Sequence, residues 1–178
     1  TTSLTPFDAE VIVKGEVEPV IEAIIADIEA NTLSPVYEST ERPCLDEVPV
    51  PRFDLIDTNR YANMMLQFSR GCPVSCEFCD IIESFGRKPR VKPIENMIAE
   101  LDAIYETGFR GNIFLVDDNF YGHPKRARAL VEEIARWQVE HDYPYLFQTE
   151  LTINAARDTT FLDLLKRARF SGVFIGIE

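Results

Sequence analysis

Three cysteines within eight residues are the strongest chemical signal in this sequence. Cys72, Cys76 and Cys79 lie in the segment SRGCPVSCEFCD, with three residues between the first two and two between the last two. Thiolates are soft ligands that suit iron–sulfur clusters or zinc. Three ligands on one short loop can hold three irons of a cubane cluster and leave the fourth iron open, which is the interpretation we favour. The residues that could complete a four-ligand zinc site are distant in sequence: Cys44, His123 and His141.

Two acids and an amide follow an apolar segment further along the chain. Asp117, Asp118 and Asn119 come at the end of NIFLVDDNF, where a buried strand would finish. The pleat of a strand should turn one of the two acids inward, so we favour Asp118 and Asn119 as ligand-binding residues. The alternative is that these residues only cap the helix that begins near Pro124.

A third apolar segment, YLFQTELTI (145–153), carries Glu150. A carboxylate in such a strand needs a partner, because burying it alone is costly. We expect Glu150 to contact a ligand, with an ion pair to Arg157 as the alternative. Asn154 is interpreted as lying outside the site. The only dense basic run, GRKPRVK (86–92), is interpreted as a solvated surface turn, with a surface that faces an anionic substrate or an electron donor as the alternative.

The surrounding pattern predicts elements that would position these residues. Strands alternate with helices that have one apolar face, and the strands are apolar throughout, which favours a parallel sheet covered on both faces. The predicted strands are 63–69, 112–118, 145–153 and 173–178, and the predicted helices are 93–107, 124–140 and one that begins at Asp158 or Thr159. A complete eightfold barrel needs about 250 residues. We therefore expect an α/β fold consisting of the first half of a (β/α) barrel, residues 61–178, in a truncated chain.

The N-terminal part differs in character. Residues 10–14 predict a short strand and residues 17–30 a helix, so that 1–31 would be the tail of another α/β unit. Four prolines interrupt residues 32–60, which we interpret as a linker.

Composition excludes several classes of protein. Hydrophobic residues make up 46% of the 178 residues, which is enough to form a core, so disorder is excluded for most of the chain. The net charge of −12 disfavours nucleic acid or anionic membranes as the main partner. No apolar run approaches the roughly 20 residues of a spanning helix, and there is no secretory signal. We expect a cytoplasmic protein.

The segment RGCPVSCEFC resembles the cluster-binding signature of the radical SAM enzymes, including the aromatic residue Phe78 before the third cysteine. The resemblance implies that Cys72, Cys76 and Cys79 hold a [4Fe–4S] cluster whose open iron binds S-adenosylmethionine. One electron would then cleave the sulfonium to methionine and a 5′-deoxyadenosyl radical. It also implies that the residues after the second strand, here Asp118 and Asn119, lie near the amino group of S-adenosylmethionine.

The same resemblance suggests roles for two further strand ends. Glu150 would contact the ribose or the amino acid part of S-adenosylmethionine, or the substrate. Glu178, in the last strand, would lie near the ribose. Reduced flavodoxin or ferredoxin is the expected electron donor.

Residues 10–30 resemble the last strand and helix of the cobalamin-binding domain that precedes the barrel in one radical SAM subfamily. The familiar Asp-x-His-x-x-Gly loop of that domain does not occur in this sequence. Within the subfamily, the chain is most similar to enzymes that methylate hopanoid-type lipids. This implies cobalamin-dependent C-methylation of an unactivated carbon in a small-molecule or lipid-like substrate. The alternatives are a cobalamin-independent radical SAM enzyme such as an RNA methylthiotransferase, or a non-enzymatic zinc module.

Overall fold

The computed structural model describes residues 9–176. The chain divides into two compact units, Thr1–Cys44 and Leu45–Glu178. None of the helices within residues 9–176 has both the length and the apolar character that crossing a membrane requires.

The first unit is a small β–α–β arrangement. Strand β1 (Ile12–Lys14) leads to helix α1 (Ile21–Ala30) and then to β2 (Val36–Glu38), which pairs with β1 in parallel. The hydroxyl of Tyr37 in β2 donates a hydrogen bond of 2.5 Å to Asp27 in α1, which ties the helix to the strand. Strand β2 lies inside the segment predicted to be a linker. The sequence did not predict this strand, because three residues are too few to show a periodic pattern.

The second unit contains a four-stranded sheet in the order β3-β6-β7-β8, with every neighbouring pair parallel. Its helices and strands, in chain order, are β3 (Asn63–Leu66), β4 (Ser69–Arg70), α2 (Ile81–Ser84), β5 (Arg90–Val91), α3 (Ile94–Glu106), β6 (Gly111–Leu115), α4 (Pro124–Glu140), β7 (Tyr145–Thr152), α5 (Thr159–Arg167) and β8 (Phe170–Gly176). The predicted α/β fold with a parallel sheet is confirmed. All four strands of the sheet therefore end at the same edge, where α/β barrels build their sites.

Helix α3 shows why the sequence pattern predicts the helices well. Met97, Leu101 and Ile104 lie on one face and are fully buried against the sheet. The helix ends before Gly108, which has a φ of +83°, a conformation that glycine adopts without strain. The helix predicted to begin at Asp158 or Thr159 is α5, which begins at Thr159 and is capped by Asp158, whose carboxylate accepts a hydrogen bond from the Phe161 N–H at 3.0 Å.

The expectation that both faces of the sheet are covered is wrong for the described residues. Burial alternates along β7: Phe147 and Leu151 pack against the helices, whereas Leu146 and Glu150 are exposed on the opposite face. Helices in the described part of the chain cover only one face. The uncovered face carries a mixture of apolar and polar side chains from all four strands: Met65, Phe114, Leu146, Gln148, Glu150 and Phe174.

Candidate active site

The cysteine loop is fixed at its start by a second segment of chain. Strand β4 pairs antiparallel with β5, and the N–H of Cys72 donates to the carbonyl of Gly86 at 3.1 Å. Gly71 has a φ of +95°, and a Cβ there would lie 2.7 Å from that same carbonyl oxygen. Glycine at position 71 therefore lets the two backbones approach closely just before the first cysteine.

The basic run 86–92 is only in part the solvated turn that the sequence predicted: Arg87 and Lys88 are exposed, whereas Arg90 is half-buried and Lys92 is buried. Arg87 donates to the hydroxyl of Ser75 within the cysteine loop, and Arg90 donates to the Phe85 carbonyl at 3.3 Å. Lys92 is buried and forms an ion pair of 2.6 Å with Glu100 of α3, which is also buried. The pairing of β5 with β4 and the hydrogen bond from Arg87 to Ser75 join this segment to the cysteine loop.

The three cysteines lie together with two of the predicted acids. Cys72, Cys76 and Cys79 are half-buried, and no cysteine in the described part of the chain forms a disulfide. They line a cavity of about 370 Å³ together with Asp118 and Glu150. Thus one loop, the end of β6 and the end of β7 contribute side chains to a single cavity at the carboxyl edge of the sheet.

Apolar side chains form much of the remaining wall. Phe78 is 71% exposed and lines this cavity and a neighbouring one of about 450 Å³. Val74 lines both cavities as well, Phe174 of β8 lines the first, and Ile153 lines the second. The cysteine loop therefore lies beside exposed apolar side chains. An apolar ligand in these cavities would cover those side chains.

The arrangement fits an iron–sulfur cluster better than a single metal ion. Within residues 9–176, no three His, Cys, Asp or Glu side chains converge closely enough to hold one ion. A cubane cluster takes each thiolate on a different iron, so its cysteines surround a volume rather than a point. His141 stacks on Trp137 with ring centroids 4.0 Å apart, so it already has a structural role within the protein.

Asp117 is the acid that turns away from the cavity. Its carboxylate accepts hydrogen bonds from the N–H of Phe68 at 3.3 Å, from the N–H of Ser69, and from the Ser69 hydroxyl at 2.5 Å. The side chain is fully buried. Burial raises the pKa of Asp117 to about 6, although these hydrogen bonds oppose the shift.

Asp118 and Asn119, the two residues favoured from the sequence, have different surroundings. Asp118 lines the cavity, and its Oδ2 accepts from the Gly71 N–H at 2.9 Å. Partial burial raises the pKa of this carboxyl, and the hydrogen bond from Gly71 opposes the shift. Asn119 is not among the described residues that line this cavity; it is buried, and its amide nitrogen lies 3.8 Å from the sulfur of Cys72.

Glu150 is exposed on the uncovered face of the sheet, opposite Phe174 in the register. It forms no ion pair with Arg157 in the part of the chain that the structure describes. Asn154 lines the neighbouring cavity, beside Cys76. Glu178 lies outside the described residues.

Sequence reasoning missed several residues of this site. Thr152 and Gly176 also line the main cavity, at the ends of β7 and β8. Alternation along β7 could have revealed Thr152, since it lies two residues after Glu150 and so on the same face. The roles of Asp117 and Asn119 in holding the cysteine loop had only a weak signal, namely three consecutive polar residues directly after an apolar strand.

The profile of the Radical SAM superfamily matches residues 66–178. The chain therefore belongs to the radical SAM superfamily, as the cysteine signature indicates. The match begins at the last residue of β3 and includes the cysteine loop and the other three strands of the sheet.

Two curated relatives are similar over nearly the whole chain. An uncharacterized methyltransferase of Synechocystis is 40% identical over 170 residues, which is 96% of this chain and 32% of the relative. The hopanoid C-2 methylase of Rhodopseudomonas palustris is 35% identical over 168 residues, 92% of this chain and 32% of the relative. The predicted similarity to hopanoid-type methylases is confirmed. The chain spans about a third of the length of these relatives.

Solved structures share the fold at low sequence identity. The methyltransferase TsrM from Kitasatospora setae, solved with tryptophan substrate and a S-adenosylmethionine analogue, superposes with a TM-score of 0.69 at 17% identity. That match covers 93% of this chain and 36% of TsrM. The cobalamin-dependent radical enzyme OxsB, solved with aqua-cobalamin, gives a TM-score of 0.70 at 18% identity. It covers 92% of this chain and 27% of OxsB.

Proposed function

We propose that this chain contributes the cluster-binding part of an enzyme that reductively cleaves S-adenosylmethionine to a 5′-deoxyadenosyl radical. The observation that carries the proposal is the cavity that three cysteines, Asp118 and Glu150 line together at the carboxyl edge of a parallel sheet. A [4Fe–4S] cluster, when bound, supplies the electron for this cleavage. Reduced flavodoxin or ferredoxin is the proposed source of that electron.

Each side chain has a role that its position supports. Cys72, Cys76 and Cys79 would bind three irons and leave the fourth accessible from the cavity. Asp118 is held through Oδ2 by the Gly71 N–H, which leaves its other oxygen for the ammonium group of S-adenosylmethionine. Glu150, which forms no ion pair among residues 9–176, would accept hydrogen bonds from the ribose or the amino acid part.

We further propose that the reaction is a cobalamin-dependent methylation of an unactivated carbon in a lipid-like substrate. Two relatives are named as a methyltransferase and a hopanoid methylase. Two solved structures with the same fold, those of TsrM and OxsB, contain bound cobalamin. The exposed apolar side chains Phe78, Ile153 and Phe174 around the two cavities suit a hydrocarbon skeleton. The parallel β1–α1–β2 unit is proposed as the end of the cobalamin-binding domain.

The test is anaerobic reconstitution of the intact protein with iron and sulfide, followed by quantification of 5′-deoxyadenosine and methionine. Wild-type protein should bind about four irons and form both products, as the cubane ligation predicts. Cys76→Ala should lose the cluster and the products, whereas Cys44→Ala should retain them, because Cys44 is exposed and is not among the described residues that line the cavity. Stoichiometric zinc with no products would overturn the proposal in favour of a zinc module.

Methylation is tested separately by supplying S-adenosylmethionine with a labelled methyl group, cobalamin and a bacterial lipid extract. Label in the hydrocarbon part of a lipid is the expected result. Formation of 5′-deoxyadenosine without labelled lipid would retain the radical chemistry and refute the lipid-like substrate.

A further inference from the structure

At the carboxyl edge of the sheet, the loop after β6 contacts the start of the cysteine loop at several successive residues. The strand pairing continues past β6 with a hydrogen bond of 2.8 Å from the Val116 N–H to the Leu66 carbonyl. Beyond it, the rings of Phe120 and Phe68 pack with centroids 5.9 Å apart. Both rings are fully buried. The loop after β6 is therefore fixed relative to the start of the cysteine loop on both sides of the three polar residues 117–119.

These three residues contact successive positions of the cysteine loop. Asp117 binds the backbone of residues 68 and 69, and Asp118 binds the N–H of Gly71. Asn119 then reaches Cys72, with 3.8 Å between Nδ2 and Sγ. The order of contacts follows the order of the chain, so the position of Asn119 beside the sulfur is a consequence of the two anchors before it.

The orientation of the Asn119 amide is determined by a second hydrogen bond. Its Oδ1 accepts from the N–H of Tyr121 at 3.2 Å, and only the oxygen of an amide can accept. The amide nitrogen must therefore point the other way, towards Cys72. The sulfur of Cys72 is its one hydrogen-bond partner among the described residues, and the side chain is only 3% exposed.

We propose that Asn119 is a positioning residue that donates an N–H···S hydrogen bond to the ligating sulfur of Cys72 and so raises the reduction potential of the cluster. This inference rests on the proposed function, since it requires Cys72 to be a cluster ligand. It gives Asn119 a role different from contact with S-adenosylmethionine, which the sequence suggested.

The sign of the expected change in reduction potential follows from the charge of the reduced cluster. Reduction adds one negative charge that is shared by the cluster and its thiolates, and a donor aimed at a sulfur stabilises that charge. Burial strengthens the interaction because little water is present to screen it. Removing the donor should therefore make the cluster harder to reduce.

The test is a redox titration of the reconstituted intact protein, followed by EPR of the reduced cluster. Asn119→Ser keeps a side-chain acceptor for the Tyr121 N–H but is too short to reach the sulfur. The expected result is unchanged iron content and a reduced-to-oxidised ratio about three- to tenfold lower at a fixed solution potential. A tenfold change corresponds to about 59 mV for one electron.

The matched control is Asn63→Ser, the same chemical change at an exposed asparagine that begins β3, at the opposite edge of the sheet from the cysteine loop. It should leave the ratio unchanged. An unchanged ratio in Asn119→Ser as well would overturn the inference while the proposed function stands. If wild-type protein assembled no cluster, the proposed function would fail and the inference with it.

A second variant covers the case in which Asn119→Ser loses the cluster. Asn119→Asp preserves the size of the side chain and the acceptor for Tyr121, removes the donor and adds a negative charge. It should lower the ratio further than serine does. Loss of the cluster in both variants would show that Asn119 acts only in loop assembly and would refute its effect on the potential.

Discussion

Replacement of Gly71 by alanine should prevent cluster assembly while the sheet remains folded. Gly71 has a φ of +95°, and an added Cβ would lie 2.7 Å from the Gly86 oxygen and 3.1 Å from the Phe85 oxygen. Real Cβ atoms essentially never approach within 3.0 Å, and both neighbours are backbone atoms, so the chain must move by several tenths of an ångström. The Gly86 carbonyl is the acceptor for the Cys72 N–H, which means that the displacement acts directly on Cys72, the first of the three proposed cluster ligands.

The expected loss of stability in Gly71→Ala has two contributions, which a control variant separates. A non-glycine residue at positive φ costs about 1–2 kcal/mol, and loss of the hydrogen bond to Cys72 costs about 1 kcal/mol more. Gly108→Ala is the control, because Gly108 has a similar φ of +83° but no atom lies within 4 Å of its added Cβ. Gly108→Ala should therefore lose only the stability that a non-glycine residue loses at positive φ.

The assay combines urea unfolding with iron and sulfide analysis after anaerobic reconstitution of the intact protein. Gly108→Ala should be less stable by about 1–2 kcal/mol with a normal cluster content. Gly71→Ala should be less stable by about 2–3 kcal/mol and should lose most of its iron. Equal iron content in the two variants would refute the argument that the close contact at residue 71 positions Cys72.

Three further predictions concern stability. Lys92→Met should destabilise the protein by about 3–5 kcal/mol in urea unfolding, because it leaves Glu100 buried and unpaired. Adding Glu100→Leu should restore most of the lost stability. A double variant as unstable as the single one would contradict this prediction. Because the pKa of Asp117 is about 6 in the folded state, above its ordinary value, the folded protein binds that proton more tightly. Stability relative to Asp117→Asn should therefore rise by up to about 3 kcal/mol as the pH falls from 7 to 4, and a constant difference across this range would be inconsistent with the buried carboxylate. Asp158 accepts hydrogen bonds from the α5 backbone and from Arg128, so Asp158→Ala should lower the melting temperature more than Asp158→Asn, which keeps the helix cap; equal losses would show that the cap contributes little.

Local patterns were sufficient for the features that depend on neighbouring residues. Helix α3 was predicted as 93–107 and is observed as Ile94–Glu106, because its apolar spacing and the following glycine both act over a few residues. The same holds for the cysteine loop, whose three cysteines all lie within eight residues. Asp118 and Glu150 could be placed near it because parallel strands end at a common edge.

Features that depend on distant residues were missed or misread. The last strand was predicted to begin at residue 173, but β8 begins at Phe170 and pairs with β7 through an irregular register between Phe147 and Gln148. The basic run 86–92 was read as a surface turn, since no local signal shows that it pairs with residues 68–72 or that Lys92 meets Glu100. The contact between Asn119 and Cys72 joins residues 47 positions apart, which a single sequence does not reveal.

The most direct test of the central claim is EPR of the reconstituted, dithionite-reduced intact protein with and without S-adenosylmethionine. We expect a [4Fe–4S] signal that changes when S-adenosylmethionine is added, because the open iron of the proposed cluster would face the cavity lined by Asp118 and Glu150. The signal should be absent from Cys76→Ala. A cluster signal that is unaffected by saturating S-adenosylmethionine would contradict the assignment of this cavity as the binding site.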